Sequence, residues 1–305
     1  MKIYALISMI AISIFCFFTS SCKGQQMNQE TSIYKDLTPK EKRVIEDKGT
    51  EAPFTGKFDK HSEKGTYICR RCSLPLYRSE DKFSSGCGWP SFDDEIPAAV
   101  RRTIDADGSR TEITCSYCGA HLGHVFEGEH MTLKNTRHCV NSISMGFVSA
   151  DEPLPRDRAF FAAGCFWGVE HMMSNIKGVL DARSGYMGGQ KNNPTYQQVC
   201  TGNTGHAETV EVIYNPAIAS YEELVKAFFE IHDFEQMDGQ GPDIGDQYRS
   251  AVFYTTEEQQ ETAQKVVDIL RDRKFKVTTE ITEATAFWYA EEYHQNYYEK
   301  MYSMG

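Results

Sequence analysis

Low-complexity tracts are absent from these 305 residues, and so is any surplus of positive charge, since 32 lysines and arginines face 43 aspartates and glutamates for a net charge of -11. The first absence argues against a disordered chain, and 40% hydrophobic with 25% charged residues is the balance of a soluble globular protein. The second repels phosphate backbones and anionic lipid surfaces, so no nucleic acid is expected as a partner. An apolar run long enough to cross a bilayer is missing as well: the stretch from Ile3 to Phe18 falls short of a comfortable span. At this length two domains are the starting expectation, each large enough to bury a core.

The Ile3–Phe18 run follows Lys2 and precedes Thr19, Ser20, Ser21 and Cys22, the order of an export signal. It resembles a bacterial lipoprotein signal with Cys22 as the lipidated first residue of the mature chain, although Thr19 stands where leucine is usual. Simple secretion and a retained anchor are the alternatives. Residues 1–21 then read as the signal and 22–32 as a polar tether. The expected location is periplasmic, lipid-anchored in the cell envelope, with membrane contact only through that anchor, and one acyl chain holds weakly unless more lipid is attached.

Thr38-Pro39-Lys40-Glu41 predicts a helix start, with a hydroxyl cap, a proline in the first turn and a glutamate three residues on; the helix should fade before Gly49. From Gly65 to Val148 short alternating runs such as Thr111-Glu112-Ile113-Thr114 replace any 3.6-residue period, so residues 33–150 read as a mainly antiparallel β domain. Two prolines and four charges in Asp151–Asp157 mark a linker. Beyond it, strand and helix patterns alternate: Arg158–Ala163, then Val169, Met172, Met173 and Ile176 at helical spacing with Gly178 as a stop. Strand Glu208–Tyr214 follows, then a helix capped by Ser220 and Glu223 that turns Leu224, Phe228 and Ile231 inward. Strand Ser250–Tyr254, a helix begun by Thr255 and Glu258 with Ala263, Val266, Val267 and Leu270 on one face, and strand Lys276–Ile281 complete the pattern. Residues 158–305 thus read as an α/β sandwich with a mixed sheet, of the ferredoxin-like split βαβ kind.

Two Cys-x-x-Cys pairs, Cys69/Cys72 and Cys115/Cys118, each follow an extended segment. A two-residue gap lets two sulfurs of one turn converge on a tetrahedral Zn²⁺, and two such pairs close its shell without leaving an open position. One structural zinc is therefore expected, and no organic cofactor. Disulfide pairing is the alternative, which export invites and spacing does not exclude.

Ser85-Gly86-Cys87-Gly88-Trp89-Pro90-Ser91-Phe92, Gly119-Ala120-His121-Leu122-Gly123-His124-Val125-Phe126 and Arg137-His138-Cys139-Val140-Asn141-Ser142, together with the cysteine pairs, closely resemble B-type methionine sulfoxide reductases over residues 33 to 150. Gly164-Cys165-Phe166-Trp167-Gly168-Val169-Glu170, Ser184-Gly185-Tyr186-Met187-Gly188-Gly189, Gly205-His206-Ala207-Glu208 and Gly245-Asp246-Gln247-Tyr248-Arg249-Ser250 resemble the A-type family over about 157 to 298. The resemblance implies two enzymes in one chain, the B-type half taking the R epimer of oxidised methionine and the A-type half the S epimer.

The chemistry asks each half for a thiolate that attacks the sulfoxide sulfur, an acid that protonates the departing oxygen, and a pocket for the methyl group. Cys165 sits where a strand turns into a helix, whose unpaired amides should favour its thiolate, and Glu208 is the expected proton donor, its pKa raised by a hydrophobic cage. By resemblance, Tyr186, Tyr248 and Asp243 hold the sulfoxide oxygen and water, while Phe166 and Trp167 cage the methyl group. In the first half the resemblance makes Cys139 the nucleophile, Cys87 the resolving thiol, His121, His124 and Asn141 the polar partners and Trp89 the apolar wall. A thioredoxin-like or other dithiol must then reduce the resulting disulfide.

Many A-type enzymes recycle through a cysteine near their C-terminus, whereas no cysteine follows Cys200 here. Cys200 reads first as a packed structural residue. Three recycling routes stay open: Cys200 resolves, a thiol of the first half crosses to Cys165, or an outside thiol reduces the sulfenic acid. Two other functions compete with repair, a zinc-dependent envelope scaffold and a thiol–disulfide exchange protein.

Overall fold

The computed structural model describes residues 33–303, so the signal, the tether and Cys22 lie outside the described residues. Thr38 caps helix Pro39–Ile45 as expected: its hydroxyl accepts the Glu41 amide at 3.3 Å and the Glu41 carboxylate accepts the Thr38 amide at 2.7 Å.

The first half is two antiparallel sheets. One has the order Pro75–Arg78, Gly65–Cys69, Met145–Ser149. The other runs Lys82–Phe83, Ser91–Phe92, Thr136–Val140, His121–Glu127, Thr111–Cys115, Val100–Ile104. Tyr67, Leu76, Tyr77, Phe92, Ile113, Leu122 and Val140 are buried in one core, where Tyr77 and Phe92 stack at 4.3 Å. The edge strand Val100–Ile104 carries Arg101, which lies over the Tyr289 ring at 5.6 Å, and Arg102, which pairs with Glu95 and Glu127, and such charges discourage pairing with another sheet.

The second half has a mixed sheet in the order Glu280–Glu283, Ser250–Tyr254, Asp157–Ala163, Ala207–Tyr214, Val179–Met187, Trp288–Tyr289. Only the first pair in that order is parallel. The connections make two interlocked split βαβ units: helix Phe166–Ser174 leads from Asp157–Ala163 to Val179–Met187 across the intervening Ala207–Tyr214, and the second unit runs from Ala207–Tyr214 through helix Tyr221–Glu230 to Ser250–Tyr254. Alternation splits the central strand. Ala159, Phe161 and Ala163 pack under the helices with Val169, Phe228 and Val266, while Phe160 and Ala162 face the opposite way with Phe253 and Phe287. Ile213 of this sheet completes the core of the first half.

Four local expectations need correction. Met172 is half exposed rather than inward, since helix Phe166–Ser174 turns Val169, Glu170 and Met173 to the core and leaves Met172 on its outer side. The helix Glu257–Asp272 is capped by Thr256, not Thr255, whose amide and hydroxyl are taken by the Gln259 side chain at 2.9 and 3.1 Å. The last long strand is Glu280–Glu283 rather than Lys276–Ile281, since the Thr278 amide and hydroxyl bond to the Phe234 carbonyl, both at 2.9 Å, instead of a neighbouring strand. The linker closes at Arg156, because Asp157 already pairs with Tyr214 in the sheet. Among the described residues no helix is long and apolar enough to cross a membrane.

Candidate active sites and sulfur cluster

Both Cys-x-x-Cys pairs sit on the same kind of turn. Cys69 and Cys115 end strands, their carbonyls accept from the amides of Ser73 and Gly119 at 2.9 Å, and Ser73 and Gly119 take left-handed φ of 65° and 70°. The turns bring Cys69, Cys72, Cys115 and Cys118 together, their sulfurs all within 4.8 Å of one another. Cys69–Cys118 and Cys72–Cys115 are 3.6 and 3.7 Å apart. A disulfide needs about 2.05 Å. A tetrahedral shell with metal–sulfur bonds of about 2.3 Å has edges of about 3.8 Å, so the four soft donors fit such a cation and not two crosslinks. The cluster ties the two sheets of the first half at a point where no side of the ion would be open.

Cys139 lies on strand Thr136–Val140 with Ser91 directly opposite on one neighbouring strand and His124 on the other; Glu112 stands across from His124. Residues paired this way share a sheet face, so Ser91, Cys139, His124 and Glu112 form one transverse row. Cys87 is turned back over this row between Gly86 and Gly88, at φ 74° and 91°, and its sulfur stands 3.9 Å from that of Cys139. The Ser85 hydroxyl donates to Cys87 at 2.9 Å and Arg137, itself paired with Glu129 at 2.6 Å, donates to it at 3.6 Å. Burial pushes the Cys139 thiol up to about 12, with the adjacent Cys87 adding to the effect. For Cys87 burial acts the same way but is outweighed by hydrogen bonds from Ser85, the Trp89 backbone and Ser91, which hold it below its ordinary value. Of the two thiols Cys87 is thus the more readily ionised in this arrangement. Arg137 lies near both sulfurs and favours the thiolate of Cys139 against the burial that raises it.

His121 is buried with the Glu112 carboxylate 2.7 Å from its Nδ1, and Lys48 holds the other Glu112 oxygen at 2.8 Å. Burial lowers the pKa of His121 against the pull of Glu112. His124 meets Asp105 at 3.2 Å, and the two imidazoles stand edge to face at 5.6 Å. Asn141 is different. Its amide is spent on backbone, accepting from the Glu51 amide at 2.8 Å and donating to the Leu122 carbonyl at 3.0 Å, so it fixes the loop that begins at Glu51. That loop also anchors Trp89, whose indole N–H donates to the Glu51 carbonyl at 2.9 Å.

In the second half Cys165 is the cap residue of helix Phe166–Ser174. The amides of Trp167 and Gly168 favour its thiolate as expected, but burial outweighs them, and with the charges of Glu208 and Asp243 pushes the thiol up to about 11. Glu208 accepts the Phe166 amide at 3.0 Å, and burial, reinforced by Asp243, pushes its carboxyl up to about 7. Tyr186 stands directly across from Glu208 on the adjacent strand. Phe166 is buried with its ring 5.9 Å from that of Tyr186, and Trp167 is held by a 3.0 Å bond from its indole N–H to His294 and by stacking on Tyr297 at 3.7 Å. Tyr248 ends a short 3-10 turn, where burial and the charges of Glu208, Cys200 and Asp243 keep it protonated, its pKa pushed up to about 12.

The motifs did not single out Glu291, His294 or Tyr196. Glu291 accepts from the Tyr186 hydroxyl and from the Tyr196 amide, both at 2.9 Å, and these bonds outweigh partial burial to hold its carboxyl below the usual range. The rings of Phe166, Tyr196 and His294 close around the helix start, with His294 5.0 Å from Phe166 and 4.3 Å from Tyr196. Cys200 is exposed, not packed, at the end of helix Tyr196–Cys200, near enough to Tyr196 and Tyr248 to help raise the pKa of both.

The family model described as SelR domain matches residues 37–149, and that described as Peptide methionine sulfoxide reductase matches residues 157–304. A peptide methionine sulfoxide reductase MsrA of Geobacter metallireducens is 48% identical over 153 residues, 49% of this chain and 94% of that protein. Its counterpart from Acidobacterium capsulatum is 50% identical over 146 residues, 47% of this chain and 94% of that protein. A solved structure of methionine sulfoxide reductase A of Corynebacterium diphtheriae shares 35% identity over 49% of this chain and 76% of that one, with a TM-score of 0.46.

Proposed function

The chain belongs to the peptide methionine sulfoxide reductases, an oxidoreductase with a SelR domain followed by an MsrA domain, and from that premise we propose that its halves divide the two epimers. The first half reduces the R form at Cys139 and the second the S form at Cys165. The observation that carries this reading is the presence of two separate thiol sites, one with a sulfur partner at 3.9 Å and one with a carboxyl raised to about 7 beside it.

In each site the thiolate attacks the sulfoxide sulfur while a protein acid protonates the oxygen, giving an adduct with a new S–S bond and a hydroxyl on the methionine sulfur. The hydroxyl then passes to the cysteine sulfur as that S–S bond opens, and the products are methionine and a cysteine sulfenic acid that carries the sulfoxide oxygen. Glu208 supplies the proton in the second half, with Tyr186, Tyr248 and Asp243 around the oxygen and Phe166 and Trp167 around the methyl group. In the first half His124, paired with Cys139 across the sheet, is the acid, with His121 and Glu112 behind it, and Trp89 is the apolar wall. Cys87 then displaces water from the Cys139 sulfenic acid to form a disulfide, which a thioredoxin-like or other dithiol reduces. Cys200, exposed at the rim of the second site, is better placed for exchange than a packed residue. Cys69, Cys72, Cys115 and Cys118 hold one structural Zn²⁺, which supplies a rigid crosslink and no step of the reaction. We place the activity in the cell envelope as repair of oxidised proteins, held there by a lipid on Cys22.

The test supplies each pure epimer with a chemical dithiol to the wild type, Cys139→Ser and Cys165→Ser. Each variant should lose one epimer and keep the other; loss of both together in either variant overturns independent sites.

A further inference from the structure

The four-cysteine cluster lies at the seam between the halves, and the residues between its cysteines are what the second half grips. Arg158, only 1% exposed on the central strand, donates to the Ser116 hydroxyl and to the Ala98 carbonyl, both at 2.9 Å. Ser116 in turn donates to that carbonyl at 2.6 Å. The Tyr117 hydroxyl donates to Asp181 at 2.7 Å, while Arg183 donates to the Tyr117 carbonyl at 3.3 Å and lies 4.0 Å over its ring. On the other turn Arg156 donates to the Cys72 carbonyl at 3.0 Å and to the Ile33 carbonyl. One cysteine turn is thus fastened to the second half through Ser116 and Tyr117, and the other, through the Cys72 carbonyl, to the last residue of the linker that leads into it.

Charge makes the fastening more than a surface contact. The guanidinium of Arg158 is buried with a single carboxylate near it, Glu211 at 3.4 Å, and its Nε and Nη2 have no hydrogen-bond partner among the described residues. A cation left this way is costly unless further negative charge lies close. A zinc ion with four thiolate ligands carries a double negative charge, and Cys115 and Cys72 are among the groups whose field Arg158 feels. Loading the cluster therefore adds negative charge near Arg158 beyond that of Glu211, and docking supplies positive charge that the loaded cluster needs.

We propose that the zinc-holding turns are the clamp that joins the two reductase halves, so that metal loading and docking stabilise each other. The inference rests on the zinc reading above. Linked equilibria are reciprocal: whatever loosens docking must weaken metal binding, read below as faster release because an undocked turn is open to the chelator, and metal loss must loosen the second half although its own reaction uses no metal.

The experiment uses the full chain. Metal content is measured first, and a protein that holds no zinc after growth and purification with zinc present sinks the zinc reading and the clamp with it. With zinc present, its release to a chromogenic chelator is timed for the wild type, Arg158→Met, Tyr117→Phe and the control Arg78→Met. Arg78 donates to the Thr255 carbonyl at 2.8 Å across the same seam without touching either cysteine turn. Arg158→Met is expected to release zinc at least about fivefold faster, the lower end of ordinary coupling between linked sites, Tyr117→Phe by a smaller margin, and Arg78→Met at the wild-type rate. If Arg158→Met does not fold, Tyr117→Phe, which removes one hydroxyl, carries the test. Hydrogen exchange gives the reverse readout: in the metal-stripped chain the amides of Asp157–Ala163 should lose protection. Equal release rates across the folded variants, or unchanged protection of that strand without metal, overturn the clamp while leaving the zinc reading intact.

Discussion

Replacing Glu208 by glutamine should change the shape of a pH profile, not only its height. With the Cys165 thiol near 11 and the Glu208 carboxyl near 7, the pair holds one proton between those limits, two below about 7 and none above about 11. The reactive arrangement, thiolate beside neutral carboxyl, also holds one proton. It is disfavoured relative to thiol beside carboxylate by a gap of about four pKa units, on the order of one part in ten thousand. For the S epimer kcat/KM should therefore climb with pH up to about 7, stay level, and fall only near 11. In Glu208→Gln no proton is shared. The limb near 7 disappears, and the rate instead follows the thiolate alone, rising steadily toward a thiol pKa that lies below 11 because a neighbouring negative charge is gone. The lost acid should lower the plateau about 10² to 10⁴-fold. Enzyme in excess over a peptide of pure S epimer, assayed in a single turnover, keeps the titration of the added dithiol out of the profile, and the R epimer serves as internal control. A variant that keeps the limb near 7, or slows less than tenfold, would refute the assignment of the proton to Glu208.

Three further outcomes are expected. Cys87→Ser should complete one turnover of the R epimer and leave a sulfenic acid on Cys139 that a sulfenic-selective nucleophile captures; capture on Cys87 in Cys139→Ser, with none in Cys87→Ser, would reverse the roles of the two thiols. Glu291→Gln, which removes the charged acceptor shared by Tyr186 and Tyr196, should lower kcat for the S epimer by about tenfold, the scale of one charge-assisted hydrogen bond, with the R epimer untouched. Phe228→Ala empties a fully buried site stacked on Phe161 at 5.3 Å and should cost about 3 to 5 kcal/mol in urea unfolding of the second half; a loss below about 1 kcal/mol would mean the helix layer repacks freely.

The placement of the candidate thiols was legible because it is set locally. A cysteine three positions from its twin, or at the junction of strand and helix, announces its geometry through a few neighbours along the chain. What surrounds them was not. Glu291 reaches Tyr186 across 105 positions, and in Glu291-Glu292-Tyr293-His294 nothing separates a buried acceptor from a solvated charge. Arg158 interrupts an apolar strand and reads as its polar start; its burial depends on a surface that the other half provides. The position of the Cys165 sulfur at a helix start was foreseen, but its titration was not, because desolvation by a folded pocket leaves no mark in a motif. Cap positions slipped where two hydroxyls adjoin: Thr255 and Thr256 are equivalent on paper, and the Gln259 side chain decides between them. Asn141 shows the converse, a motif residue whose polar ends are both committed to main chain rather than to a reacting group.

The strand Asp157–Ala163 occupies the middle of its sheet yet is the first piece of that half to leave the ribosome. By then every residue of the preceding β domain has already been made, its cysteine turns included. The newcomer strand can settle against a finished neighbour while its own partners, Ala207–Tyr214 and Ser250–Tyr254, are still being translated.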